Sequence, residues 1–429
     1  MKARFFALTA GALACGLLLS IHPAANAALD PTKANVIFDW ETDTQGWTSG
    51  IDTSKVTHNS DAQFASEGSK GSLQVNLTGH NSWSDQIMTV ALPAPLDLSK
   101  FAFVSVDVYV PAGSRGGDTS PTWAQFGLIT GDPYINLGSH DIVREGWQHF
   151  VWSLDPEKSK NITFMRFFVN QGAPWAAPIY FDNLKVLPGQ ARGLTAKDQI
   201  LIDGFNKAAN IEGMAEDWPR EITTDKAYVT EGDGALKLDI TDQQGWSGYK
   251  DAIIGLPPID LSTMDQLRLD VFLPDASAPD WYQLGVSLVS GDAAAYVPDA
   301  IHGFNKGWQT LVWDFTRFTA DQKALLKEIT GFRFFVQSGT AFLGPVYVDA
   351  LRGSKEMAGV EAVPAGVKGD VNGNGKLDIS DVVAALRFVA GLATPTAAQT
   401  AAADVNANGK VDISDIVALL RAVAGLSTL

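Results

Sequence analysis

Cysteine is almost absent from this chain of 429 residues: Cys15 is the only one, and it lies in an N-terminal apolar stretch. We expect that stretch to be removed on export, so the mature protein would contain no disulfide, no thiolate zinc site and no cysteine nucleophile. Histidine is also scarce, with six residues scattered along the chain. The motifs HExxH and GxSxG are missing, as is any paired-Glu motif, so no familiar hydrolase pattern is visible.

Positive charge is in short supply as well. Lys and Arg number 32 against 48 Asp and Glu, which gives a formal net charge of −16. Because a nucleic-acid-binding protein needs a basic face, this balance argues against a nucleic-acid partner. An acidic chain suits a secreted soluble protein, and it suits calcium sites.

The N-terminus has the layout of a secretory signal. Lys2 and Arg4 precede an apolar run over residues 5–21, and Ala25-Asn26-Ala27 offers a small-residue cleavage site. We predict a signal peptide over residues 1–27, secretion, and no membrane insertion after cleavage. A membrane anchor is the alternative, but the run is short and ends in small residues.

Two long segments, residues 35–187 and 199–353, are versions of one sequence. Their motifs recur in the same order at a nearly constant offset, so that Trp123 corresponds to Trp281 and Arg166 corresponds to Arg333. Each copy has short alternating apolar stretches broken by Gly, Pro, Asp and Ser, which is typical of strands; one helix is predicted, at residues 320–328. The fold class is therefore mainly β, with two tandem β-sandwich domains at residues 28–190 and 196–354 and a linker at 355–366.

The tail contains two copies of one loop, DVNGNGKLDISD at 370–381 and DVNANGKVDISD at 404–415. Oxygen-bearing side chains occupy positions 1, 3, 5, 9 and 12, the ligand spacing of an EF-hand calcium loop, and position 7 would offer its backbone carbonyl. The predicted calcium ligands are Asp370, Asn372, Asn374, Lys376, Asp378 and Asp381 in the first loop and Asp404, Asn406, Asn408, Lys410, Asp412 and Asp415 in the second. The alternative is a pair of Asx-rich turns without metal, and the repetition argues against it.

Both loops depart from an ordinary EF-hand, because position 12 is Asp and no helix can enter the first loop through Pro364 and Gly366. A tandem of loop plus exiting helix resembles a type I dockerin, here over residues 367–429. The resemblance implies a small α-helical domain that needs calcium to fold and that docks onto a cohesin-type scaffold protein. It places partner contacts at loop positions 10 and 11 and on the exiting helices. These are Ile379, Ser380, Arg387, Ile413, Ser414 and Arg421.

The two repeated units resemble jelly-roll carbohydrate-binding modules of the galactose-binding-like type. The resemblance rests on the motif order: an acidic first strand, an EGxxxSL step, an LDLS edge, a GW strand and a closing YFDN strand. It implies a structural calcium between the first, second and last strands. The acids at matching places are Asp39, Glu67, Asp182, Asp203, Glu231 and Asp349. The alternative is that they are ordinary turn and strand-end acids.

A sugar-binding face needs flat aromatic rings for stacking and planar amides or Arg for hydrogen bonds. The patterns WAQFG and WYQLG each put a Trp and a Gln on one strand face, and MRFFVNQ and FRFFVQS each put an Arg and an amide on another. The predicted carbohydrate-binding residues are Trp83, Trp123, Gln125, Arg166, Asn170, Trp246, Trp281, Gln283, Arg333 and Gln337. The alternative is that these Trp residues fill the core and each Arg pairs with an acid. Trp147 and Trp308, in the GWQ strands, are assigned to the core.

The sequence thus favours a secreted, non-catalytic polysaccharide-binding protein whose dockerin docks it into an extracellular polysaccharide-degrading system. One alternative is a dockerin-bearing glycoside hydrolase or lyase acting through a jelly roll, since a carboxylate pair can be assembled from distant strands. Another is a cell-surface structural protein.

Overall fold

The structure is a computed structural model. It describes residues 29–51, 55–80, 85–115, 124–130, 135–142, 144–171, 173–195, 197–208, 219–240, 250–275, 282–291, 293–295, 300–340, 342, 344–360, 368–372, 376–393, 395, 397–406 and 408–428. The predicted signal peptide lies outside these ranges. No helix within them is both long and apolar enough to span a membrane.

The first unit is built of short strands, as its alternating pattern predicts. They are β1 Asn35–Phe38, β2 Thr48–Ser49, β3 Lys55–Asn59, β4 Ser72–Asn76, β5 Asp85–Leu96, β6 Phe103–Val110, β7 Ala124–Thr130, β8 Ile135–Asp141, β9 Gly146–Ser153, β10 Ile162–Gln171 and β11 Ile179–Leu187.

The second unit repeats this order. Its strands are β12 Gln199–Asp203, β13 Arg220–Thr223, β14 Ala235–Leu238, β15 Lys250–Ile259, β16 Gln266–Leu273, β17 Tyr282–Ser290, β18 Ala293–Ala295, β19 Ala300–His302, β20 Gly307–Asp314, β21 Ile329–Ser338 and β22 Val346–Ser354. Helix α1, Ala320–Leu325, lies where the sequence predicts it and ends slightly earlier; Thr319 and Gln322 form its capping box.

Each unit is a sandwich of two antiparallel sheets. The rear sheets match strand for strand: β3-β4-β11-β6-β9 with β1 beside β11 in the first unit, and β13-β14-β22-β16-β20 with β12 beside β22 in the second. Alternate residues of the facing sheets fill the core between them, which is why the period-two pattern of the sequence produces this fold. The predicted pair of jelly-roll sandwiches is confirmed.

The front sheets of the two units are joined into one. Ten described strands run in the order β15-β21-β17-β19-β8-β7-β10-β5-β2, with β18 beside β17. At the junction β8 pairs with β19, and His140 lies opposite Ile301. His140 precedes Trp147 by as many positions as Ile301 precedes Trp308, so equivalent strands meet about an approximate two-fold axis.

Buried polar contacts reinforce this junction. The carboxylate of Asp141 accepts the backbone N–H of Ala300 at 3.1 Å and contacts Nε2 of His302 at 2.8 Å. The side chains of Asp141 and His302 are 1% and 4% exposed. Arg317 donates to the carbonyl of Asp141. The two units are therefore packed together through a shared sheet and are not independent domains joined only by a linker.

The chain between the units is packed as well. Gly193 donates its N–H to the buried Asp270 carboxylate at 2.6 Å, and Arg352 donates to the carbonyl of Ala191. After the second unit, Glu356 reaches back to His149 of the first unit at 2.9 Å. Each connecting segment thus covers the rear sheet of one unit.

The C-terminal domain is helical. Helices α2 Ile379–Val389 and α4 Ile413–Val423 each follow one of the repeated loops, and they pack around a small core that includes Val382 and Leu419. A short helix that the sequence pattern does not predict, α3 Ala397–Ala403, leads into the second loop. The first loop lacks such a helix within the described residues.

Candidate functional site

The outer face of the front sheet carries the residues predicted to bind carbohydrate in the first unit. Along β10, Met165, Phe167 and Val169 belong to the core, so Arg166 and Phe168 project from the opposite face. Strand β21 repeats the arrangement in the second unit. There Phe332 and Val336 belong to the core, and Arg333, Phe335 and Gln337 alternate with them.

A glycine lies opposite the central Phe in each unit. Phe168 on β10 pairs with Gly127 on β7, and Phe335 on β21 pairs with Gly285 on β17. A Cβ added at either glycine would overlap the facing Phe ring, so each ring lies across the bare backbone of its neighbour. The glycine is therefore required to seat an aromatic ring flat on the sheet.

Arg166 makes no ion pair with any acid in the described part of the chain. Its guanidinium lies 4.4 Å from the centroid of the Phe164 ring, and its buried Nε has no hydrogen-bond partner among the described atoms. Within the described residues Arg166 is therefore not paired with an acid, and its half-buried guanidinium still needs acceptors; that it binds carbohydrate stays a prediction.

Two predicted amides lie together on the same face of the second unit. Gln283 and Gln337 are directly opposite on β17 and β21, and Nε2 of Gln283 donates to Oε1 of Gln337. In the first unit, Gln125 and Asn170 are opposite each other in the same way, but their side chains are outside the described set. Also outside it are Trp83, Trp123, Trp246 and Trp281.

The assignment of Trp147 and Trp308 to the core is wrong. Both are only half-buried and lie on the outer face of the rear sheets. Trp147 packs 5.3 Å from the Tyr109 ring and Trp308 packs 5.4 Å from the Phe272 ring. The signal was present in the sequence: in the strand GWQHFVW the core side is taken by Phe150 and by the second Trp, which alternate with the first.

The acids predicted to hold a structural calcium are engaged in local hydrogen bonds. The Asp182 carboxylate accepts hydrogen bonds from the N–H and the Oγ–H of Ser66 at 2.9 and 2.7 Å. The Asp349 carboxylate accepts one from the N–H of Thr230 at 2.6 Å. Burial raises the pKa of Asp349 to about 6 and also raises the pKa of Asp182, although these hydrogen bonds oppose the shift.

The remaining acids of this set lie on neighbouring loops. Asp39 accepts from Gln45, Asp203 accepts the N–H of Phe205 at 2.7 Å, and Glu231 accepts from Asn206 at 2.6 Å, while Glu67 is exposed. Among the described residues no three His, Cys, Asp or Glu side chains converge on one point as metal ligands would. A calcium ion in each sandwich stays a prediction.

A charged cluster on the rear side is not evident from the sequence. His149 contacts Asp107 at 2.6 Å through Nδ1 and Glu356 at 2.9 Å through Nε2. Burial alone would lower the pKa of His149, but the hydrogen bonds to these two carboxylates, with a further contribution from Asp314, raise it to about 10. His149 is therefore positively charged at neutral pH and ties the first unit to the segment after the second.

The tail loops have the backbone arrangement that a cation site needs. Asp415 is fully buried and accepts the N–H groups of Asn406 and Asp412 at 3.2 and 3.0 Å. Asp404 accepts the N–H groups of Asn408 and Gly409 at 3.0 and 2.8 Å. These bonds turn the loop around its carboxylates and hold them on its inner side.

The first loop has the same feature at its end. Asp381 is fully buried and accepts the N–H groups of Asn372 and Asp378 at 3.0 and 2.9 Å. Neither Asp381 nor Asp415 has a cationic side chain beside it within the described ranges. A buried carboxylate is costly without a positive partner, so the donor set fits a bound Ca²⁺. Asn374 lies outside the described residues, and Lys376 and Lys410 are exposed, as expected if they bind only through their carbonyls.

Residues 368–424 match the family model of the dockerin type I domain. The C-terminal domain is a type I dockerin. No curated protein matches the chain.

Three solved structures that are similar to the sandwich units are carbohydrate-binding modules. The CBM22-1-CBM22-2 tandem of Paenibacillus barcinonensis Xyn10C is 15% identical, with 75% of this chain and 98% of that chain covered and a TM-score of 0.26. CBM27-1 of Caldicellulosiruptor saccharolyticus, in complex with mannohexaose, is 17% identical, with 38% and 100% covered and a TM-score of 0.30. The family 11 module of Clostridium thermocellum, in complex with a beta-1,3-1,4-mixed-linked tetrasaccharide, is 17% identical, with 38% and 98% covered and a TM-score of 0.27.

The dockerin carries most of the exposed large apolar side chains of the described chain, and they recur with the same spacing as the two loops. Ile379 and Ile413, at loop position 10, are 58% and 61% exposed. The other repeated members are Val383, Leu386 and Leu392 on the first copy and Val417, Leu420 and Leu426 on the second; Val389 is also exposed, and its counterpart Val423 is half-buried. Ser380, Arg387, Ser414 and Arg421 are exposed beside them. The dockerin therefore presents the same apolar surface twice.

Proposed function

We propose that this protein is a secreted, non-catalytic polysaccharide-binding component of an extracellular polysaccharide-degrading system, held on a cohesin-type scaffold by its dockerin. The observation that carries the proposal is the combination of a type I dockerin with two front-sheet sites that repeat one arrangement of Arg, Phe and glycine.

The front-sheet sites suit a sugar polymer by their chemistry. A pyranose ring has an apolar C–H face that packs on an aromatic ring, and its hydroxyls accept from guanidinium and exchange hydrogen bonds with amides. The Nε of Arg166 has no hydrogen-bond partner among the described atoms, and Gln337, which is paired with the buried Gln283, is half-buried on the same sheet. Because the sites occur twice in one body, a long chain that contacts both is held more tightly than a short one.

Docking would use the apolar surface that the dockerin presents twice. Calcium would be held by the oxygens of the two loops, and its charge would offset the buried carboxylates that fix the start of each exiting helix. A protein surface this apolar marks a partner-binding site, since water-exposed apolar groups of this size are otherwise avoided. The partner surface we expect is a cohesin-type domain with a complementary apolar centre.

Affinity electrophoresis on soluble glucans, xylans and mannans tests the sugar-binding half of the proposal. We expect retardation by at least one polymer, with a lower affinity in Arg166→Ala and in Arg333→Ala. Absence of retardation on every polymer would remove this function. Release of reducing ends from a retarding polymer would instead favour the hydrolase alternative.

A further inference from the structure

A second site lies on the rear side, between the two units. Two adjoining cavities of about 640 and 550 Å³ share Gln190, Arg192 and Trp308 in their walls, and the larger also includes Lys100, Asp155 and Glu157. We call this pair of cavities the rear cleft. Its size is that of a pocket for a small ligand, and it is on the opposite side of the sandwich from the front-sheet sites.

Trp308 provides a fixed apolar wall in the rear cleft. Its indole N–H donates to the carbonyl of Ala227 at 3.2 Å, and its ring packs edge to face against Phe272. The Arg192 guanidinium lies 5.3 Å from the centroid of the Trp308 ring, close enough for a cation–π contact. Gln190 donates its amide N–H to the carbonyl of Arg192 at 2.7 Å, which braces the turn that carries this Arg.

The rear cleft holds positive charge that the described residues do not pair. Its two acids are already paired, Asp155 with Lys158 at 3.7 Å and Glu157 with Lys160 at 2.7 Å. Neither Arg192 nor Lys100 makes an ion pair or a side-chain hydrogen bond with any residue that the structure describes. In a chain with a net charge of −16, two such cations in one cavity with an aromatic wall are an unusual local arrangement.

The equivalent place in the first unit has acids and, among its described residues, no cation left without an acidic partner. Trp147 is the counterpart of Trp308 in the repeat, and it lines a cavity of about 310 Å³ with Glu67, Asp107 and His149, where His149 is already paired with Asp107. The two units therefore keep the aromatic wall and differ in the charge around it. This difference would let the two places select ligands by charge. Acids around Trp147 would repel an anionic ligand, whereas the cations near Trp308 would attract it.

We propose that the rear cleft binds a carboxylate-bearing saccharide, that is, a uronic-acid unit of an acidic glycan. The planar guanidinium of Arg192 suits a carboxylate bound through both oxygens, and Lys100 supplies a second positive charge. The indole of Trp308 supplies the apolar surface for the sugar ring. This site is separate from the front-sheet sites, so a neutral chain and an acidic side group can be bound by one protein.

Calorimetric titration of the full chain with trigalacturonate, at fixed calcium, tests the proposal. The methyl ester of the same trisaccharide is the matched control, since it keeps the sugars and removes the charge. A glucuronate-bearing xylo-oligosaccharide tests whether a second source of the carboxylate is accepted. We expect trigalacturonate to bind, its affinity to fall as salt is raised, and the ester to bind at least about tenfold more weakly, as expected when a charge-assisted hydrogen bond is lost.

The variant Arg192→Gln/Lys100→Gln should weaken trigalacturonate binding by about tenfold or more, and Arg192→Lys should retain part of it. Both positions are exposed, so the thermal unfolding of these variants should match that of the unaltered chain. Arg166→Ala should leave trigalacturonate binding unchanged. Equal binding of acid and ester, unchanged binding in the double variant, or no binding of either acidic saccharide would overturn the proposal. Failure of the front-sheet function would instead show as lost binding of neutral polymers with trigalacturonate still bound.

Discussion

Replacing Asp141 by Ala should destabilise the body formed by the two units by about 2–6 kcal/mol, because two buried donors lose their acceptor at about 1–3 kcal/mol each. The carboxylate is 1% exposed and contacts His302, which is 4% exposed, at 2.8 Å. Its loss leaves that imidazole and the N–H of Ala300 without this acceptor at the centre of the ten-stranded sheet.

Differential scanning calorimetry of the full chain measures this cost. The matched control is Glu221→Ala, because Glu221 contacts Lys237 at 2.6 Å and its side chain is 64% exposed. We expect the control to cost less than about 1 kcal/mol, as exposed ion pairs do. Equal losses in the two variants, or a loss in Asp141→Ala as small as that expected of the control, would refute the reasoning that the joined sheet depends on this buried contact.

Three further predictions concern the tail and the rear cluster. Calcium should raise the melting temperature of the dockerin, and Asp381→Ala/Asp415→Ala should abolish this rise. The same rise in the variant would exclude Asp381 and Asp415 as calcium ligands. Because the pKa of His149 is raised to about 10, above its ordinary value of 6.5, its stabilising effect is complete below about pH 6.5 and is lost as pH rises towards 10. His149→Gln should therefore flatten the fall in stability between pH 7 and pH 10 in chemical unfolding, and an unchanged slope would contradict the assignment. In surface plasmon resonance against cohesin-type domains, Ile379→Asp and Ile413→Asp should each weaken binding little, because the other copy of the surface remains, whereas the double variant should lose it; a full loss in either single variant would contradict two equivalent surfaces.

Much of this architecture could be predicted from the sequence because it depends on local periodicity. The spacing of oxygens in residues 370–381 and 404–415 defines a loop without any knowledge of the rest of the chain. The repetition of motifs in one order and at a nearly constant offset likewise predicts two copies of one sandwich.

The joined sheet could not be predicted in that way. Strand β19 is only three residues long, and its pairing with β8 joins the two units through contacts that neither segment encodes alone. The pattern does not predict helix α3, because its seven residues are mostly Ala and show no alternation of polar and apolar faces. Trp147 and Trp308 lie outside the core because Phe150 and Trp313, which alternate with them along their strands, take the core positions.

Isothermal titration calorimetry of the full chain with soluble glucan, xylan and mannan tests most directly whether the front sheet binds polysaccharide. We predict saturable binding of at least one polymer, weakened by about tenfold or more in Arg166→Ala/Arg333→Ala, since a hydrogen bond from a charged group is worth about 1.5–3 kcal/mol. Lys237→Ala is the control, because Lys237 lies on a rear strand and pairs with Glu221 at 2.6 Å. The same affinity in the unaltered chain, the Arg166→Ala/Arg333→Ala variant and the Lys237→Ala control would contradict binding at the front sheet. No heat of binding with any of the polymers would contradict it as well.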